Sequence, residues 1–429
     1  MYPVPFPLSP SLWSATAIPA PTTLPLLDNH HCDVAVIGGG FAGLSTALHL
    51  AEKGVNVTLL EAKEIGFGAS GRNGGQVIPG LKYDPNELIK MFGSERGQQL
   101  VAFAGSTADV VFDLIARHQM DVPLKRSGWI QGAHDNGALE LAQQRAEQWG
   151  QHGAPVRLLD AKQIQDLLGT DRYLGGWVDE RAGAVQPLSY VRGLASVAIK
   201  SGARVHTESP VKSLTLQNGK WQLTTGKGLT VTADRVVMCT NAYGGDLWPK
   251  LKTSIIDANS FQVATGPLPD DLLKNILPQG HVCSDARKLL LYFRLDHQGR
   301  LLMGGRGPFR EPKAQSDWAH LERVMHKLFP QVKGMPIEFR WGGRVAVTRD
   351  FLPHLHEPAP GLLIDIGCMG RGVGLQTSMG RAIANYVASG DKSTLPFQIT
   401  EAKSFPLYGL RRAYVNAVLT WYRLSDGGL

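Results

Sequence analysis

An α/β fold is predicted by three features of the chain. A glycine-rich turn sits between a buried strand and an amphipathic helix, a second such turn recurs near the C-terminus, and strand and helix patterns alternate between them. The first turn is the most informative. Asp33-Val-Ala-Val-Ile37 reads as a short buried strand and runs into Gly38-Gly39-Gly40-Phe41-Ala42-Gly43. Leu44, Ala47, Leu48 and Ala51 then recur at helical spacing, which lays one apolar stripe against a sheet. Val55 to Leu60 is the next strand, and Glu61 stands at its end. In this Rossmann-type unit Gly38 permits the tight turn, Gly40 lets a pyrophosphate approach the backbone, and Gly43 lets helix and strand pack closely. The helix start at Phe41 and Ala42 offers N–H groups and a positive dipole end to that pyrophosphate. Glu61, 18 residues after Gly43, is placed to accept hydrogen bonds from ribose hydroxyls.

The next segment, Gly66-Phe-Gly-Ala-Ser70-Gly-Arg-Asn-Gly-Gly75-Gln76, is too rich in glycine for a helix or strand interior. It suits a loop wrapping a long, flat cofactor. Here the sequence resembles the glycine oxidase, D-amino-acid oxidase and sarcosine oxidase (DAO) family of flavoproteins. It looks most like the γ-glutamylputrescine oxidase and L-pipecolate oxidase-like branch. The resemblance implies FAD as cofactor, with Ala69, Ser70, Gly71, Arg72, Asn73, Gly74, Gly75 and Gln76 running along its pyrophosphate toward the isoalloxazine ring. Val231 to Ala242 is similar to the later FAD-contacting strand of that family, and Val211 in Ser209-Pro-Val211 to the residue at the adenine edge. Leu362 to Ile366 is strand-like and leads into Gly367-Cys-Met-Gly-Arg-Gly-Val-Gly374 and a helix with apolar Leu375, Met379, Ala382 and Tyr386. By resemblance Gly370, Arg371, Gly372 and Val373 meet the pyrimidine end of the flavin, where N–H groups stabilise negative charge on the reduced ring. Sarcosine oxidase-like enzymes tether FAD through a cysteine three residues before the threonine matched by Thr348. Val345 holds that position, so the expected FAD is non-covalent. Cys368 is expected to be a small buried filler.

The cofactor elements fall at 30–90, 155–255 and 345–395, which makes the FAD-binding domain discontinuous. Residues 91–154 and 256–344 are then the substrate-binding domain, an α+β region of mixed sheet and helices. Within it, Lys288 to Arg294 and Leu301 to Gly304 read as a hairpin around His297-Gln-Gly-Arg300. Residues 1–29, rich in proline, are expected to be an extended surface arm. Residues 396–429 form a C-terminal segment with an amphipathic helix from Tyr408 to Leu424, its face made by Leu410, Ala413, Tyr414, Ala417, Val418, Trp421 and Tyr422 and flanked by Arg411, Arg412 and Arg423.

Composition narrows the function classes. Hydrophobic content of 43% and charge of 19% are ordinary for a soluble globular protein. No run of 18 apolar residues and no secretory signal is visible. Cys32, Cys239, Cys283 and Cys368 are scattered without metal spacing and read as reduced thiols of a cytoplasmic protein. The net charge of +7 comes without a Lys/Arg block, so no nucleic-acid partner is expected and the charge is better read as a steering field for anions. The C-terminal helix could lie in a membrane interface, peripherally at the inner face, with a respiratory-chain acceptor reoxidising the flavin. More often such a helix docks on its own domain, and the acceptor is expected to be O2 or a respiratory-chain component.

The resemblance implies oxidation of a C–N bond by hydride transfer to flavin N5, giving an imine. No dedicated base is required if the amine binds unprotonated. An amino-acid substrate requires a fixed cation for its carboxylate, ideally a bidentate arginine. Arg340-Trp-Gly-Gly-Arg344, with Thr348, Asp350 and Pro353, is similar to the family segment that carries one, although Arg344 is one residue out of register and lacks the following proline. Arg371 is the second candidate; Tyr292 and Arg294, on one strand face by alternation, are weaker ones, as is Arg306. A secondary cyclic amino acid, L-pipecolate, is the first choice of substrate and γ-glutamylputrescine the alternative. A flavin domain serving RNA modification is the rival from another class.

Overall fold

The computed structural model of the chain describes residue 8 and residues 10–425, the last three by backbone alone. Its first sheet is built on five parallel strands in the order Arg204–His206, Val57–Leu60, His30–Ile37, Thr230–Met238 and Leu362–Ile366. Val57–Leu60 and Leu362–Ile366 are buried at every position, as expected of parallel strands covered on both faces. Alternation sorts the first strand's side chains. Val34 and Val36 face the helices, whereas Ala35 and Ile37 face the antiparallel strands Val211–Gln217 and Lys220–Thr225 and the segment around Leu251. The helices Phe41–Ala51 and Gly372–Ser389 lie side by side on the first face, so close that a Cβ on Gly380 would stand 2.5 Å from the Ala42 carbonyl.

The second sheet has eight strands, ordered Ile337–Val347, Ile256–Pro267, Arg300–Arg306, Leu291–Leu295, Val282–Asp285, Trp129–Ala133, Gly175–Asp179 and Val156–Asp160. The expected hairpin is its centre, with Leu295 opposite Leu301 and Tyr292 opposite Gly304. Helix Ala319–Leu328 covers it over a core that includes Phe261, Phe293 and Phe329. A mixed α/β architecture with a Rossmann-type domain and a second mixed sheet is therefore the fold.

Three expectations are corrected. Val156–Asp160 and Gly175–Asp179 pair into the second sheet, so the first insertion runs past residue 154. Helix Ser94–Arg117, expected in that insertion, instead packs on Gly372–Ser389. By length and apolar content it could cross a membrane, but its apolar face is buried in the protein. The described part of the N-terminal arm is not a surface strand: Leu12–Thr16 is helical and Trp13 is fully buried. Its aromatic ring is the signal that proline content masks. The C-terminal helix runs Arg411–Ser425, with Leu410, Val418 and Trp421 exposed; the side chains of Arg423 and Leu424 lie outside the described residues.

Candidate active site

A cavity of about 1430 Å³ opens between the two sheets. Of the residues read as cofactor-binding, all but Gly43, Gly71 and Gly75 line it. Those three are glycines because the backbone is crowded behind the cavity. A Cβ on Gly43 would fall 2.0 Å from the Gly38 carbonyl, and one on Gly71 2.4 Å from that of Gly66. Gly38 itself has φ +111°, a left-handed conformation that an L side chain rarely adopts. Gly40 has a reason the motif does not disclose: a Cβ there would meet Ser70 Oγ at 2.8 Å, and that hydroxyl accepts from the Phe41 N–H at 3.0 Å. Glu61 is held by N–H donors from Gly39 at 2.6 Å and Lys63 at 2.8 Å. Burial pushes its carboxyl up, and those bonds pull it back down.

The glycine loop is fixed from behind. Asn73 Nδ2 donates to the Ser70 carbonyl at 2.8 Å while its Oδ1 accepts from the Gly75 N–H at 2.8 Å. Arg72 is buried, donating from Nε to the Phe67 carbonyl at 2.7 Å and lying over the Phe67 ring. The Arg72 carbonyl accepts from Gln262 Nε2 at 2.6 Å and from the Trp341 indole at 3.0 Å. Gln76 reaches across to the carbonyls of Cys283 and Phe293. Trp13 donates its indole N–H to the Asn73 carbonyl at 2.7 Å.

The substrate candidates separate on this geometry. Arg294 does not line the cavity. Its Nε donates to the Gly74 carbonyl at 2.7 Å and its Nη2 to that of Val185 at 2.8 Å, with the guanidinium over Trp13. Burial lowers it to about 10, so it stays charged at neutral pH as a brace for the loop rather than a substrate ligand. Arg344 lines the cavity, but its guanidinium is engaged by Glu311 at 2.6 Å and Asp257 at 3.7 Å. The expected carboxylate clamp is thus an ion-paired arginine, whose guanidinium a substrate would have to take from Glu311. Its backbone N–H donates to the Tyr243 hydroxyl at 3.0 Å. Tyr292 shares a hydrogen bond of 2.9 Å with Ser260 and lines the cavity, in space that only a glycine at 304 leaves open. Arg371 also lines the cavity, donating to the Pro79 carbonyl and lying 5.3 Å from the Trp129 ring centroid. Burial lowers it to about 10.

Residues that no motif announces complete the walls. Lys82 and Arg145 come from the 78–92 region and the helix Asn136–Gln151, Trp129 and Gln131 from the second sheet. Thr240 Oγ1 and Gln262 Oε1, in residues lining the cavity, are buried and lack a hydrogen-bond partner among the described residues. Such groups call for a polar ligand. A helix N-terminus, a glycine loop, a carboxylate at a strand end and these orphaned polar atoms suit a flavin dinucleotide.

The sequence model of the DAO family, described as FAD dependent oxidoreductase, matches residues 33–386. The chain belongs to this family. The γ-glutamylputrescine oxidoreductase of Escherichia coli is 34% identical over 83% of this oxidoreductase and 83% of its own length. A probable oxidoreductase, OrdL, of Haemophilus influenzae is 32% identical over 90% and 89%. Among solved structures, glycine oxidase from Geobacillus kaustophilus matches at a TM-score of 0.72 and 20% identity, over 87% of this chain and 100% of that one. L-proline dehydrogenase from P. horikoshii matches at 0.70 and 19%, over 94% and 100%. The oxidoreductase uses FAD, which supplies the two-electron acceptor when bound. The chain's own part would be to hold it along Gly38–Glu61 and the 66–76 loop, which line the cavity, to orient a substrate against it, and to exclude water.

Proposed function

We propose that this oxidoreductase oxidises the C–N bond of an amine of the γ-glutamylated diamine class, with FAD held non-covalently. The carbon beside a neutral nitrogen loses its hydrogen with the bonding electron pair. The nitrogen lone pair forms C=N, and water then hydrolyses the imine of this primary amine to an aldehyde and ammonia. What carries the substrate class is the occupation of Arg344 by Glu311 and Asp257. A preference for L-pipecolate rests on that guanidinium as an α-carboxylate clamp, and the ion pairs remove its main support. The relationship to γ-glutamylputrescine oxidoreductase supports the same class. Non-covalent binding is supported by Val345 at the tethering position and by burial, which pushes the thiols of Cys239 and Cys368 up and away from reactivity.

Anaerobic bleaching of the visible flavin band by a panel of amines tests this. The panel holds γ-glutamylputrescine, putrescine, L- and D-pipecolate, L-proline, sarcosine and glycine, and acid precipitation of the same preparation should release its flavin. Rapid bleaching by γ-glutamylputrescine is expected. Bleaching by L-pipecolate alone would transfer the enzyme to cyclic amino acids, and bleaching by none would overturn amine oxidation.

A further inference from the structure

One wall of the cavity gathers three cations from three separate elements. Lys82 follows the short strand Gln76–Val77, Arg145 lies on the helix Asn136–Gln151, and Arg371 begins the helix Gly372–Ser389. They converge on one stretch of chain: Arg145 binds Asp84, two residues after Lys82, and Arg371 donates to Pro79, three residues before it. Burial first, and the neighbouring arginines second, lower Lys82. The acids around them are already engaged. Asp84 is bound by Arg145 Nε at 2.9 Å, and Asp179 by Arg181 at 2.6 Å. Arg145 gives a further donor to Gln131 Oε1 at 2.7 Å, and Arg371 one to the Pro79 carbonyl. Lys82 makes no hydrogen bond or ion pair among the described residues.

Three like charges repel one another, and Glu87, the other acid facing Lys82, is engaged by the Asp84 backbone N–H. An anion settling among them removes that repulsion. The 18-residue helix behind Arg371 presents its positive end to the same point. Ile78, Leu141 and Trp129 supply apolar wall beside the cations, which suits a methylene chain next to the charge rather than a bare inorganic ion.

We propose that Lys82, Arg145 and Arg371 form a subsite for a carboxylate that the amine substrate carries apart from the carbon it oxidises. This rests on the amine reading above and makes it narrower: the enzyme selects carboxylated amines and discriminates against the parent diamine. Arg344, tied to Glu311, has no part in it.

The test uses the flavin-loaded protein and a carboxylate that cannot be oxidised. Glutarate is titrated while the visible flavin band and tryptophan emission are followed, with neutral glutaramide as control. Glutarate is expected to bind and glutaramide not. Lys82→Met, at an exposed position, should keep its flavin and weaken glutarate roughly tenfold to a hundredfold, the range for a lost charged hydrogen bond. Lys82→Arg should restore most of it, and Arg371→Met should weaken it as much as Lys82→Met does. In turnover, Lys82→Met should raise KM for γ-glutamylputrescine and leave that for putrescine unchanged. Unaltered glutarate affinity in Lys82→Met, or none in the wild type, overturns the subsite. Failure of the amine reading shows separately, as no bleaching by any amine whatever glutarate does.

Discussion

Arg294 illustrates how far a single residue's role depends on what lies behind it. Alternation along the strand puts it on the same face as Tyr292, and the structure keeps both on the side facing the glycine loop. Yet Tyr292 reaches the cavity while Arg294 stops at backbone carbonyls, because Gly74 and Val185 cross directly over it. Removing the guanidinium leaves those carbonyls short of buried donors, at about 1–3 kcal/mol for each unsatisfied group. Arg294→Met should therefore lower stability by roughly 2–4 kcal/mol and deplete bound flavin, because the loop it braces lines the cofactor cavity. Thermal unfolding and the visible-to-ultraviolet absorbance ratio read both effects. A variant that kept full flavin and an unchanged Tm would return Arg294 to the list of substrate ligands. Lys82 and Arg145 lie beyond sequence reading for the opposite reason. Each is one cation in an ordinary polar stretch, and only the folded chain brings them to Arg371.

At the scale of elements, legibility follows local pattern. The glycine turn, its helix and the 291–306 hairpin carry their own periodicity, and their positions are readable from it. The strands Val156–Asp160 and Gly175–Asp179 escape such a reading because they join the second sheet only where Gly175–Asp179 pairs with Trp129–Ala133, a tertiary choice rather than one of local sequence. The C-terminal helix is visible in its apolar face, but that face is not buried: Leu410 is 59% and Trp421 58% exposed. Among the described residues the helix meets the site near its C-terminal end, where Tyr422 lines the cavity and Lys288 Nζ lies 4.5 Å from the Trp421 ring centroid. With its apolar face exposed, the helix is an element that opens at little cost. A chain ending at Leu407 should fold and retain FAD, with KM for the amine substrate changed severalfold. Steady-state kinetics of the truncated protein decide this, and kinetics identical to the full chain would deny the helix any part in substrate entry.

The whole molecule carries a pH dependence that originates far from the substrate. Asp365, in the last parallel strand, is buried with Oδ1 unpaired among the described residues, and burial pushes its carboxyl up to about 7. In the unfolded chain it would titrate near 4. Between those values the folded protein holds a proton that the unfolded chain has lost, so stability falls as pH rises through this window and levels off above it. Asp365→Asn removes the proton but keeps a polar side chain beside Gln376. It should gain stability relative to wild type on going from pH 4 to pH 8, by up to about 4 kcal/mol, the free energy of moving a carboxyl's titration from near 4 to about 7. Urea unfolding of both proteins at the two pH values measures the difference, and a gap independent of pH would remove Asp365 as its source.

The discontinuity of the first sheet also governs how the protein can be made. Thr230–Met238 takes its outer neighbour, Leu362–Ile366, from more than a hundred residues further on, and the same late segment brings Gly370 and Arg371 to the cavity. On the ribosome, the nascent chain must therefore wait with that strand edge open and the cofactor groove half walled. The cavity has its full set of walls only once that late segment has emerged, so during synthesis an apoprotein with an open strand edge is the species exposed to aggregation.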